Sequence, residues 1–406
     1  MSDIWQPEYE FSEAGTESIR FRRQWVINEE DVTIGENWCH EPLCCGKWLH
    51  YHPDLIVEQC HFEEGRVFLL GLGIYPDRPR DRFVDMVAMK GGSPSDRLLG
   101  SIIDLAGMYV VIHVSQEEIS LYTDPSAMMG VFHRNGQASS SPCLIPPLER
   151  DLHLDAVFPF GGANDWYPGS LCPFVGIKAL IANHRLDLIS GREVRFWPTQ
   201  EIPKLDSEVS KETITALLRG SIEAYLNRGT VLLSLTGGRD SRVNLAAARS
   251  FVDRIHFFTI RTDRVKPCDL RVPAEFARIF PLDHRFVDAK PTPDWLRSLY
   301  DEISGGLAIG ARRDILDGCL QIAGPDRIHV NGNLGAVTKS FFWDCRSPKR
   351  VKIGGLAKEF VSKPKPILAG VREWLDTVPK DLPPTTVYNL MYFEQRGGRW
   401  MGVGEN

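Results

Sequence analysis

Val231-Leu232-Leu233-Ser234-Leu235-Thr236-Gly237-Gly238-Arg239-Asp240-Ser241-Arg242 decides how this chain is read. An apolar run passes directly into a loop that carries a glycine pair, hydroxyls and one carboxylate, and Val243-Asn244-Leu245-Ala246-Ala247-Ala248 follows with a helix-forming composition. That order predicts a buried strand, a phosphate-binding turn and a helix whose N-terminus favours an anion. Thr236 and Ser241 are candidate hydroxyl donors, Leu235, Gly237 and Gly238 line the turn, and Asp240 is the candidate ligand for the Mg²⁺ that accompanies a nucleotide triphosphate. No Lys follows the glycines at Walker A spacing, and G-x-G-x-x-G is absent, which excludes the two commonest nucleotide loops.

What remains is [ST]-G-G-x-D-S after a strand, which resembles the pyrophosphatase (PP) loop of enzymes that cleave ATP between its α and β phosphates. With Leu-Leu-Ser-Leu before it, the loop is most similar to that of the asparagine synthetase-like ligases. The resemblance implies ATP and Mg²⁺ as cofactors. Outward along the chain, Arg254-Ile255-His256-Phe257-Phe258-Thr259-Ile260, His284-Arg285-Phe286-Val287-Asp288 and Arg327-Ile328-His329-Val330 read as further strands, with a helix predicted over Val272 to Phe280. Strands alternating with helices predict a mostly parallel sheet with the nucleotide at the carboxyl ends of its strands, the main chain of Ile260 beside the adenine.

The last of these strands runs into Asn331-Gly332-Asn333-Leu334-Gly335-Ala336-Val337. In the resembling family a second glycine-rich loop here binds nucleotide and supplies carboxylates, so Asn331 and Gly332 are nucleotide-site candidates. Asn333, Ala336 and Val337 stand where acids are expected, and only Asn333 offers a metal even a neutral carbonyl. Tyr388 to Trp400 resembles a family helix, in which Arg396 faces the phosphates or serves as a structural cation. Lys339 is the basic residue nearest the second loop, but no motif gives it a role.

The first half reads as short strands. Residues 18–27, 66–73, 108–114, 119–123 and 130–133 alternate or run apolar, with a short amphipathic helix over 95–105. Leu105-Ala106-Gly107-Met108-Tyr109-Val110-Val111-Ile112, then Asp124-Pro125-Ser126-Ala127-Met128-Met129-Gly130-Val131, resemble the end of the glutaminase-type domain of asparagine synthetases. The segments 138–142, 173–180 and 191–198 resemble its closing strands. A Pro-rich linker then precedes a helix with Ile214, Leu217, Leu218, Ile222, Tyr225 and Leu226 at spacings of three and four, capped by Ser210 and ended at Gly229. The expected architecture is α/β plus α+β: an Ntn-hydrolase-like antiparallel sandwich over 1–203 and a parallel-sheet PP-loop domain of the adenine nucleotide α-hydrolase type over 204–406.

Glutaminases of this kind use a mature amino-terminal cysteine, whereas this chain begins Met1-Ser2, so glutamine hydrolysis is not expected. Ammonia or an amine on the substrate would then capture an acyl-adenylate. Relatives that form amide rings in natural products use the second option, so asparagine need not be the product, and the expected partners are a small carboxylate and an amine. The alternative is a catalytically impaired nucleotide-binding paralogue with a regulatory role. A tRNA sulfurtransferase fits less well, since the net charge of -6 and the lack of a basic block offer no polyanion groove. With 43% hydrophobic residues, neither a leader nor a membrane-length apolar run, and nine Cys without a framework, the expectation is a cytoplasmic protein of reduced thiols, compatible with a homodimer. The Cys39, His40, Cys44, Cys45, His50, His52, Cys60 and His61 cluster lacks C-x-x-C and reads as scattered thiols and imidazoles more than as a zinc site.

Overall fold

Short apolar runs build the first half. The computed structural model describes residues 5, 13–29, 34–35, 37–62, 65–89, 93–162, 164–308, 313–343 and 347–403; Met1-Ser2 lies outside them. In chain order the strands are β1 (Trp25–Asn28), β2 (Cys39–Pro42), β3 (Trp48–Tyr51), β4 (Val57–Phe62), β5 (Gly65–Ile74) and β6 (Ala106–Val114). They continue with β7 (Ile119–Thr123), β8 (Phe132–Arg134), β9 (Gln137–Ser139), β10 (Lys178–Ala179), β11 (His184–Asp187) and β12 (Arg192–Arg195). Two six-stranded antiparallel sheets result, ordered β10-β8-β9-β1-β3-β2 and β12-β11-β7-β6-β5-β4.

The period of two in β5 and β6 sorts their side chains between two cores. Phe68, Leu70, Val110 and Ile112 meet Trp25, Ile27 and Leu49 of the facing sheet. Val67, Leu69, Tyr109 and Val111 pack outward on Phe83 and Met86 of α1 (Phe83–Met89) and on Leu98 and Ile102 of α2 (Pro94–Ile103). The strand expected from residue 18 begins only at Trp25. Glu13–Ser18 form a 3₁₀ turn, and Phe21 and Arg23 have φ values of 51° and 58°, which break an extended run.

The second half holds the parallel sheet. Its strands β13 (Thr230–Ser234), β14 (Ile255–Arg261), β15 (Asp283–Asp288) and β16 (Arg327–Val330) lie in the order β15-β14-β13-β16, all pairs parallel. After α3 (Leu152–Val157) in the first half come α4 (Ser207–Leu226), α5 (Arg239–Ala247), α6 (Pro267–Ile279), α7 (Asp294–Ser304) and α8 (Leu316–Gln321). One face of the sheet buries Val231, Leu233 and Phe257 against Ile222 of α4 and Leu245 of α5; the other buries Leu232, Phe258 and Val287 with Ile322. Burial on both faces explains why β13 is an uninterrupted apolar run. The cap of α4 is Asp206, which accepts from the Glu208 N–H at 2.9 Å, because the helix starts a turn before Ser210. Helix α6 likewise starts before the expected Val272, with Pro267 in its first turn where no N–H is required.

Helices α9 (Ile353–Leu356), α10 (Lys365–Thr377), α11 (Pro384–Leu390) and a π-helix, Met391–Gly402, close the chain. Leu356, Trp374, Val387 and Met391 share one core with Phe132, Trp166, Phe174 and Ala179. Glu394 clasps this seam: its carboxylate is fully buried and accepts from Arg195 Nη1 and Nη2 at 2.7 and 2.8 Å, Trp374 Nε1 at 2.7 Å and Asn183 Nδ2 at 2.9 Å. No helix among the described residues is long and apolar enough to cross a membrane.

Candidate functional site

Central strand β13 delivers the 236–241 loop at its carboxyl end, and α5 begins at Arg239. The loop is braced from within. Ser241 is buried, its Oγ accepts from the Thr236 N–H at 3.1 Å, and the Gly238 N–H donates to Thr236 Oγ1 at 3.1 Å. The two hydroxyls expected to face a phosphate therefore shape the turn. Gly238 brings no capping side chain to α5, so the orphan N–H groups of the first turn are what the loop offers an anion.

The glycines are needed for close approach. A Cβ on Gly237 would sit 2.8 Å from the Cys268 carbonyl oxygen, and the Gly237 N–H donates to Asp269 Oδ1 at 3.0 Å. Asp269, in the first turn of α6, thus places a carboxylate on a loop N–H. No sequence motif marks it.

Leu235 is held from β14. Thr259 Oγ1 donates to the Leu235 carbonyl at 2.6 Å and lies 2.9 Å from His284 Nε2, which must then carry the proton; burial lowers the basicity of His284 and favours this neutral form. Phe258 accepts from the Leu235 N–H, so the Ile260 main chain, two residues on, faces the same side, beyond the end of β13 at Ser234. The Ile260 side chain packs on α8, where a Cβ on Gly318 would come within 2.9 Å of it.

The second glycine-rich loop lies directly on Asp240. Asn244 of α5 donates to the Asn331 carbonyl at 2.9 Å, and the Asn331 side chain accepts from the Asn333 N–H at 2.9 Å. A Cβ on Gly332 would stand 2.9 Å from Asp240 Cβ, and one on Gly335 only 2.6 Å from Asp240 Cγ. The segment Gly335–Lys339 is a 3₁₀ helix that brings Lys339 Nζ to 2.7 Å from Asp240 Oδ2. Lys339, to which the sequence assigns no role, is therefore the direct partner of the central carboxylate.

The donor set is lean for Mg²⁺: Asp240, the expected ligand, is paired with an ammonium, one oxygen of Asp269 accepts from the Gly237 N–H, Asn333 offers only a neutral carbonyl, and Ala336 and Val337 have no donor side chains. Among the described residues no three His, Cys, Asp or Glu gather as a metal site. In the amino-terminal Cys/His cluster, His40 Nδ1 lies 2.7 Å from His50 Nδ1, and His50 Nε2 lies 3.0 Å from Asn28 Oδ1.

The π-helix forms a further wall. Burial pushes the Tyr392 phenol up; the Arg396 guanidinium opposes this and the charge of Asp240 adds to it. Arg396 is enclosed: its guanidinium lies 4.4, 4.9 and 5.4 Å from the rings of Trp400, Phe341 and Trp166, donates to Asn164 at 3.1 Å and lies 3.6 Å from Glu359. Of the two roles open to Arg396, this geometry favours the structural cation, since a caged guanidinium is turned from phosphate.

No protein-family profile and no curated protein sequence matches the chain. Among solved structures, it is similar to the glutamine phosphoribosylpyrophosphate amidotransferase from B. subtilis complexed with ADP and GMP, at 9% identity and a TM-score of 0.27, covering 79% of this chain and 77% of that one. A structure described as the allosteric regulatory enzyme of purine biosynthesis aligns at 10% identity and a TM-score of 0.28 over the same shares. Superpositions this loose carry no argument about the site.

Proposed function

We infer that the chain binds ATP where the 236–241 loop meets the 331–339 loop, and uses it as an asparagine synthetase-like, AMP-forming amide ligase. The observation that supports this best is the braced loop at the carboxyl end of the central strand in a β15-β14-β13-β16 parallel sheet. In this reading a substrate carboxylate attacks the α-phosphate, pyrophosphate leaves, and ammonia or a substrate amine captures the acyl-adenylate. The first-turn N–H groups of α5 and the Lys339 ammonium meet the charge that develops on the departing pyrophosphate. The main chain of Ile260 offers the adenine a donor and an acceptor.

A second reading, a nucleotide-binding paralogue that does not turn over, is favoured by Asn333, Ala336 and Val337, which supply none of the acids the ligase loop uses. One assay separates the two. Pyrophosphate release from ATP, stimulated by one member of a panel of small carboxylates, supports the ligase. ATP binding without release under every carboxylate supports the paralogue, and absence of ATP binding overturns both.

A further inference from the structure

The carboxylate expected to hold Mg²⁺ already has a cation beside it. We propose that Lys339 replaces the divalent cation at Asp240, so that the site takes a nucleotide polyphosphate without metal. The proposal rests on the nucleotide reading of the same loop and specifies how that loop neutralises its ligand.

Several observations converge on Lys339. Its ammonium lies 2.7 Å from Asp240 Oδ2, and both side chains are partly exposed, at 41% and 32%, so the pair is open to a ligand from solvent. Gly332 and Gly335 abut the Asp240 side chain so closely that it is pinned, and Asn244 ties their loop to α5. The backbone that presents Lys339 is strained at both ends. Leu334 and Ser340 hold φ values of 65° and 56° without being glycine, a conformation unfavourable for an L residue and worst for a bulky one such as Leu. Strain of this kind persists where the surroundings over-determine it, as at ligand sites.

The chemistry is consistent. A lysine ammonium is a compact point charge with three donors, enough to keep one bond to Asp240 while giving others to phosphate oxygens. A Mg²⁺ ion at Asp240 would have to displace that ammonium and then rely on water and phosphate oxygens for the rest of its shell, since Ala336 and Val337 offer none. Asp240 then acts on the ligand through Lys339: it is a positioning residue that aims the ammonium.

The test is calorimetric titration of ATP into the full chain, in buffer with EDTA and in buffer with excess Mg²⁺. The wild type is expected to bind with affinities within about threefold in the two buffers, since no stabilising metal contact is gained. Lys339→Met should lose about tenfold or more in EDTA, the effect of deleting a charge-assisted hydrogen bond, and recover part of it with Mg²⁺ because Asp240 is then free. Lys339→Arg should keep metal-free binding, and matching thermal unfolding of the three proteins shows that the fold is intact. Wild-type binding that requires Mg²⁺, or Lys339→Met binding in EDTA like the wild type, overturns the proposal and leaves the nucleotide reading standing. No ATP binding in either buffer overturns that reading, and the proposal with it.

Discussion

Replacing Glu394 should be among the most damaging single changes in the molecule. Its carboxylate has no solvent exposure, Arg195 is 6% exposed, and Trp374 and Asn183 complete the acceptor's coordination. Removing one partner strands the other's charge in the interior, which costs about 3–5 kcal/mol. Glu394→Leu leaves Arg195 with only the Trp197 carbonyl and the Thr377 hydroxyl; Arg195→Met leaves the carboxylate with Trp374 and Asn183 alone. Each single variant should therefore lose about 4 kcal/mol, whereas the double variant should lose little more than either alone, a coupling of about 3 kcal/mol. Urea unfolding followed by tryptophan fluorescence and far-ultraviolet circular dichroism measures this, with coincident transitions as the check on two-state behaviour. Strictly additive losses, or single losses below about 1 kcal/mol, would refute the claim that this pair holds the two halves together.

Asp124 gives a pH signature. Burial pushes its carboxyl up to about 6, although the backbone N–H groups of Ser126, Met128 and Met129 partly oppose that. Because the folded value exceeds the ordinary 3.8, the contribution is full below pH 3.8 and is lost as pH rises through about 6; the gap is worth about 3 kcal/mol, and Asp124→Asn should flatten that part of a stability-against-pH curve. Gly335→Ala places a methyl 2.6 Å from Asp240 Cγ, so it should displace Asp240 from Lys339, weaken ATP binding and cost about 1–3 kcal/mol in unfolding experiments. Arg396→Met removes a cation from among three rings and should lower stability by about 2 kcal/mol, while changing ATP affinity less than Gly335→Ala does.

The sheet architecture was readable because its signals are local. The Val231 to Leu235 run and the apolar runs of β5 and β6, buried on both faces, are each visible in a few consecutive residues. The site's charge partners were not readable for the opposite reason. Lys339 reaches Asp240 across 99 positions and Asp269 reaches Gly237 across 32, and neither contact is encoded in a spacing. The hydroxyls of Thr236 and Ser241 were legible as loop residues, but their inward direction depends on the turn's own hydrogen bonds. The start of α4 is not fixed by sequence, because Asp206 and Ser210 are both competent caps one turn apart and periodicity counted from Ile214 does not choose between them.

The central claim is that the 236–241 loop and Lys339 grip a polyphosphate, and comparing ATP with AMP in one titration series tests it most directly. Both share the adenine and ribose, and only ATP carries the β and γ phosphates. The account predicts that ATP binds at least about tenfold tighter than AMP, and that inorganic pyrophosphate competes with it. Equal affinities for ATP and AMP, or ATP binding indifferent to pyrophosphate, would contradict it.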